Sequence, residues 1–469
     1  MAEQDVPTMG SADAPDAVYD ARTLGAPKMI VFGFQHMFAM FGATILVPIL
    51  TGLPVSTTLL FAGLGTLLFH FVSKGKVPAF LGSSFAFLPG YFAIAPNGEP
   101  GLLPYACLGV ACAGILYLIL SALFRAFGAN RVMRYFPPIV TGPIVIAIGL
   151  TLAPSALNNC ETNWVVAIVA IATIIIVNIW GKGMIKIIPI LMGIIVSYIV
   201  AVIMGEVDFT GIIEADWVGA PVMWDNTVLG LFGSGSFDSG LAVTAIITIV
   251  PLALATMIEH IGDISAISST CNRNFIANPG LHRTLLGDGL ATIVASLFGA
   301  PANTTYGENT GVLALTRVFD PRVVRIAAVF AIVFSCCPKF AALIGSMPPA
   351  VVGGVSVILY GMISGVGVRN LIENHVDFQK SRNVIIAAIV LVLSIGIAYS
   401  AAGAIVIAAP DVTISLSGLA VGALAGIILN IILPGKDGIG DGEDEAAVSD
   451  NMALEGPFPY DPSIDPYAK

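Results

Sequence analysis

Apolar residues run along this chain in long blocks, each about the length that a helix needs to cross a bilayer, roughly 20 residues. The blocks fall near 29–50, 55–72, 80–94, 102–124, 137–157, 164–180, 187–204, 241–269, 284–298, 302–317, 323–344, 349–367, 384–407 and 414–433. That pattern predicts an all-α polytopic membrane protein with fourteen transmembrane segments. An odd number in each half sends the second half in from the opposite side, so two sevens form an inverted repeat.

The third and tenth blocks break the pattern. They read PAFLGSSFAFLPG at 78–90 and PANTTYGENTG at 301–311. Each has a proline, then small or hydroxyl residues, then an aromatic, Phe85 or Tyr306. Each reads as a short extended piece followed by a half-helix. Pro89 suits a first helical turn, where its missing N–H matters little. Gly307 allows a turn or the close approach of a ligand. Extended backbone in an apolar layer needs partners. Pairing the two pieces as short antiparallel strands supplies them and leaves two half-helix N-termini facing a common site. Such termini offer free N–H groups and partial positive charge.

Composition agrees with the bilayer as solvent. The 469 residues are 57% hydrophobic and 11% charged, against about 25% charged in soluble domains. Residues 1–26 lack the basic start and apolar core of a cleaved leader, so the first block is expected to stay as a span. The net charge of −10 sits largely in two tails, with five acids up to Ala26 and nine after Pro434. With both tails cytoplasmic, 19 of 20 lysines and arginines fall on the inner side, and Lys339 alone lies within a span. The expected organisation is a cytoplasmic acidic tail at 1–27, a first repeat at 28–204, an outer acidic loop at 205–240, a second repeat at 241–433 and a second acidic tail at 434–469. The six cysteines show neither metal-ligand spacing nor a disulfide pattern, and no surface suited to nucleic acid is visible.

Ionisable residues inside spans mark function. Glu308 opens the tenth half-helix. ATMIEHIGDISAISS at 255–269 places Glu259 and Asp263 four residues apart on one helix face, with His260 pointing elsewhere. Two carboxyl groups in a partly dry site do not both ionise freely, so Glu259, Asp263 and Glu308 form a candidate proton carrier. His36 lies in the middle of the first span, either in the site or bracing Glu259 or the turn of span three. Asp288 and Lys339 read as structural.

These residues resemble the nucleobase–ascorbate transporter family, the second class of nucleobase:cation symporters. The family signature reads here ENTGVLALTR, with Glu308, Asn309, Gly311, Thr316 and Arg317 at its defining positions. QHMFAMFGAT, KVPAFLGSSFAF, IEH in span eight and PGLHRTLLGDGL also match, in order, from about residue 28 to 433. The resemblance implies a core domain of spans 1–4 and 8–11, a gate domain of spans 5–7 and 12–14, a homodimer, and substrate held between core and gate. It implies that Glu259 accepts from a ring N–H, that Glu308 and the backbone around Tyr306 and Gly307 form the facing wall, and that Phe85 lies beside the base. Glu at the start of the signature and Arg at its end are similar to the bacterial uracil permease branch. That branch carries histidine where this chain has Asp263, which bears on the coupling and on the ring size accepted.

The expected activity is proton-coupled uptake of uracil across the inner membrane by alternating access, without a cofactor and without covalent chemistry. Uracil presents acceptor, donor and acceptor along one edge, which suits half-helix N–H groups and a carboxylate. A xanthine or uric acid symporter of the same fold, sodium in place of the proton, and an anion transporter are the alternatives. A membrane sensor with active tails is a further one.

Overall fold

The computed structural model describes residues 17–128, 132, 136–233, 237–408 and 413–435. The acidic tails outside that range, Arg131, Arg134 and Asp411 lie outside the described residues. Helices α1 (Ala26–Thr51), α2 (Val55–Val72) and α4 (Leu103–Phe127) flank the first broken segment, strand β1 (Leu81–Ser83) followed by half-helix α3 (Leu88–Ile94), and α5 (Pro138–Glu161) comes next. Helices α6 (Trp164–Trp180) and α7 (Pro189–Ile203) follow. The second half holds α8 (Ser239–Ile249), α9 (Ala253–Cys271), α10 (Leu281–Leu297), strand β2 (Asn303–Thr305) and half-helix α11 (Glu308–Thr316). It continues with α12 (Pro321–Ser335), α13 (Pro338–Gly345), α14 (Pro349–Glu373) and α15 (Ser381–Ala398). Strands β3 (Ala404–Ala408) and β4 (Thr413–Ser417) and helix α16 (Gly418–Ile432) complete it.

Among the described residues, seven helical stretches are long and apolar enough to cross a membrane, or eight if the bent pair α12–α13 counts as one span. Several helices carry proline in their first turn, where its fixed φ fits. Side chains cap others: Asn163 Oδ1 accepts from the N–H of Val165 at 2.9 Å, and Asp238 Oδ1 from that of Gly240 at 2.8 Å. The helices pack as two groups. One joins α1, α2, α4, α9, α10 and α12; the other joins α5, α6, α7, α14, α15 and α16. In the second group α5 and α14 approach at backbone distance. A Cβ on Gly367 would lie 2.6 Å from Gly142 O, and one on Gly149 would lie 2.2 Å from Tyr360 O. Small residues at such crossings take the place of hydrophobic driving force, which lipid does not supply.

Two elements depart from the sequence expectation. The block at 323–344 is not one helix: α12 and α13 meet at 87°. The freed backbone is satisfied by the preceding loop, with Gly219 N donating to Cys336 O at 3.0 Å and Lys339 N to Asp216 O at 2.9 Å. The blocks ending at 407 and starting at 414 are also shorter as helices, because AIVIA and TISLS pair as the antiparallel hairpin β3–β4, Ala404 opposite Ser417. Their β-branched residues favour strand, and hydropathy alone does not separate such a strand from a helix end.

Strands β1 and β2 pair antiparallel, Leu81 with Thr305, Gly82 with Thr304 and Ser83 with Asn303. Neighbouring helices hold them. Leu81 N donates to Thr66 Oγ1 at 2.9 Å, Asn303 Nδ2 to Phe61 O at 2.6 Å and Thr292 Oγ1 to Asn303 O at 2.9 Å. Gly65 makes room for this arrangement, since a Cβ there would lie 2.0 Å from Asn303 Nδ2. Gly65→Ala is expected to displace Asn303 and to cost about 1–3 kcal/mol of stability. A lowered melting temperature of the purified protein, read by intrinsic fluorescence, checks this.

Candidate functional site

The strand pair places two half-helix starts in one region. On the first, Pro89 sits in the opening turn of α3, as the sequence predicts. On the second, Gly307 is the N-cap of α11, with an ordinary helical φ of −68°. Its lack of a side chain therefore serves space rather than a turn: a Cβ there would come 3.1 Å from Asp263 Oδ1. The N-terminus of α11 thus faces the acidic face of α9.

Glu259 and Asp263 lie one turn apart on α9, and Glu308 is the first residue of α11. All three are half-buried. Gly307, next to Glu308, brings the start of α11 up to the Asp263 carboxyl, a Cβ on it falling 3.1 Å from Oδ1. Three carboxyl groups held this way can accept a ring N–H or share a proton. The Tyr306 side chain is 4% exposed and turns onto β1, where its hydroxyl donates to Ser83 O at 2.8 Å. The Tyr306 N–H donates to Phe80 O at 2.9 Å, so the backbone open to a ligand starts at Gly307.

A second layer fixes these groups from behind. Asp288 on α10 is fully buried and accepts from Thr305 Oγ1 at 2.9 Å. His260 Nδ1 lies 3.1 Å from Asp288 Oδ2. His260, adjacent to Glu259, is thus joined through Asp288 to the strand that leads to Glu308. The sequence reading left His260 pointing away without a partner. His36 is buried on α1, and Asn309 Nδ2 lies 3.1 Å from both its Nδ1 and its carbonyl oxygen. It braces the residue next to Glu308, not Glu259 or the turn of span three.

Phe85 is 7% exposed and meets Tyr360 of α14 edge-on, centroids 6.1 Å apart at 74°. Sequence reasoning did not single out Tyr360, because nothing in the local apolar run VSVILYGMIS distinguishes it; only its contact with Phe85 does. A cavity of about 410 Å³ opens beside Glu308, with Lys186, Phe38 and Met362 on its walls. Among the described residues, no cluster of three or more His, Cys, Asp or Glu side chains is placed to hold a metal ion. Asp288→Ala is expected to remove the acceptor shared by His260 and Thr305, which keep only each other at 3.0 Å, and so to leave one buried donor unsatisfied at about 1–3 kcal/mol. Thermal unfolding in detergent should show the loss, smaller in Thr305→Val than in Asp288→Ala.

Comparison with known proteins follows the same residues. The model of the Permease family, Xan_ur_permease, matches residues 27–403. The uracil permease of Bacillus caldolyticus is 39% identical over 445 residues, 93% of this chain and 98% of that protein. The uracil permease of Bacillus subtilis is 40% identical over 418 residues, 86% of this chain and 92% of that protein. The transmembrane domain of the cyanobacterial bicarbonate transporter BicA has a similar fold, with TM-score 0.56 at 14% identity over 89% of this chain and 99% of that one. Several membrane-length helices, broken segments joined by a strand pair, and a family match along most of the chain agree: this multi-pass membrane protein is a transporter rather than an enzyme, and it belongs to the permease family of nucleobase–ascorbate transporters.

Proposed function

We propose that the protein imports uracil across the cytoplasmic membrane by alternating access, in symport with protons. The relatives named uracil permease, matched along nearly their whole length, carry the substrate assignment. The acidic cluster on α9 and α11 supports it. Uracil fits with a ring N–H on Glu259, a carbonyl on the N–H groups at Gly307 and Glu308 that open α11, and the Glu308 side chain closing the same edge. Phe85 stacks on the ring, a contact worth roughly 1–3 kcal/mol per base, and Tyr360 closes the far side of Phe85.

Fourteen spans in two inverted sevens accommodate the segments described. The two packing groups support a core of spans 1–4 and 8–11 and a gate of spans 5–7 and 12–14. In this reading both termini are cytoplasmic, the segment at 205–240 is external, and the protein works as a homodimer. Glu259, Asp263 and Glu308 share the coupling proton, with His36 holding Asn309 beside them. Proton entry from outside neutralises the cluster and favours uracil. Motion of core against gate then opens the site inward, where proton loss releases the base. The cavity shared by Glu308 and Lys186 supports an inward-open arrangement. Asp263 alters the coupling relative to a histidine, since a carboxyl group shares a proton without becoming a cation.

Uptake of labelled uracil and of labelled xanthine by cells lacking their own carriers, in acid and in neutral medium, tests the reading. Uracil uptake is expected to rise in acid, to be independent of sodium and to be lost in Glu308→Gln. Uptake of xanthine alone overturns the substrate and keeps the fold; sodium dependence overturns the coupling ion. Gly307→Ala is expected to raise the KM for uracil by about tenfold, roughly 1.4 kcal/mol, because its methyl group displaces the Asp263 carboxyl.

A further inference from the structure

Residues 17–24 precede the first long helix and carry no residue of the substrate site, yet they are fastened at several points to distant parts of the chain. Val18 forms a parallel bridge with Val318: its N–H donates to Arg317 O at 2.8 Å, and its carbonyl accepts from Phe319 N at 2.9 Å. Tyr19 is 2% exposed. Its ring packs 5.4 Å from that of Phe319 and lies 4.8 Å from the guanidinium of Arg273. Its hydroxyl donates to Cys271 O at 3.0 Å. Asp20 pairs with Arg22 at 2.6 Å and with Arg322 at 2.7 Å. Ala21 N donates at 2.7 Å to the fully buried carboxylate of Asp320, which also caps α12 through Arg322 N at 2.9 Å.

The attachment points matter more than their number. Cys271 is the last residue of α9, the helix of Glu259 and Asp263. Arg317 to Phe319 follow directly on α11, which opens with Glu308. This short segment therefore joins the C-terminal ends of the two helices that carry the acidic cluster, Glu259 and Asp263 midway along α9 and Glu308 at the start of α11. α11 has only nine residues, about 13 Å of helix, and so short a helix holds its place through tertiary contacts rather than its own hydrogen bonds. β2 fixes one end of it; the segment fixes the other.

We propose that Val18–Ala21 is a positioning strap that sets the spacing of α9 and α11, and through it the geometry of Glu259 and Glu308 around the substrate. Tyr19 and Asp20 are its positioning residues. Neither touches the substrate. The inference rests on the uracil reading for its transport readout but not for its structural one.

The strap does not supply the acid dependence of transport. Hydrogen bonds from Arg22, helped by the charge of Arg322, hold the Asp20 carboxyl at about 2, below its ordinary 3.8. A carboxyl group held low contributes its pairing above the ordinary value and loses it only as pH falls through the lowered one. The strap thus stays engaged in both uptake media.

Two measurements on the full-length protein test it: uracil KM and Vmax in proteoliposomes, and amide hydrogen exchange of residues 308–316. Tyr19→Ala and Asp20→Ala are expected to raise KM by about tenfold while Vmax per folded transporter changes less than about twofold. Both should speed exchange across 308–316. Tyr19→Phe, which keeps the ring, should restore most of the KM, and the pH profile should keep the wild-type shape in every variant. Unchanged KM with a lowered melting temperature overturns the proposal and leaves the segment as fold stabilisation only. If the wild type does not carry uracil, that reading fails separately, and the exchange of 308–316 decides the strap: unchanged protection in Tyr19→Ala overturns it.

Discussion

Everything in this fold answers to one constraint: two pieces of extended backbone lie inside an apolar body that has no water to satisfy them. β1 and β2 satisfy each other over three residues each. The ladder continues through Ser84 N to Ala302 O at 3.0 Å and Tyr306 N to Phe80 O at 2.9 Å. Around them, Thr66 and His70 from α2 and Thr292 and Asp288 from α10 bond this backbone, and the carbonyl of Thr44 on α1 accepts from the Ser83 hydroxyl. The buried hydroxyl and imidazole groups that look out of place in oily helices are the complement of that exposed backbone.

The constraint also creates the site. A helix that starts inside the protein, rather than at its surface, turns its free N–H groups inward. The strand pair makes two such starts and aims one of them, at Gly307 and Glu308, at the acidic face of α9. The buried pair of Asp288 and His260 ties the strand to that same helix, so the carboxyl cluster and the N–H groups opposite are held by one network. His36, through Asn309, fixes α11 from the side of α1. Charged and polar groups are costly in such surroundings; here each layer of them orients the next one inward.

The strand pair, the half-helices, and the carboxyl groups of α9 and α11 were legible because each breaks a local rule. Proline beside hydroxyl residues interrupts an apolar run, and a carboxylate inside a span has few bland explanations. The α12–α13 bend and the β3–β4 hairpin were not legible, because both stay apolar and the hydropathy of PKFAALIG or AIVIA is that of any span. Tyr360 and the partner of His36 escaped for a different reason. Their roles depend on which helix lies alongside, and no spacing within α14 or α1 records that.

The order and kind of the segments, their apolar character and the set of chemical groups available were determined by the sequence alone, since periodicity, proline placement and buried charge act within a few residues along the chain. Which groups meet was decided only by the tertiary structure. Glycine at 307 admits Asp263, Asp288 reaches both His260 and Thr305, and Val18–Ala21 closes over the ends of α9 and α11. Each of these contacts joins residues far apart in the chain, and only helix packing brings them within hydrogen-bond reach.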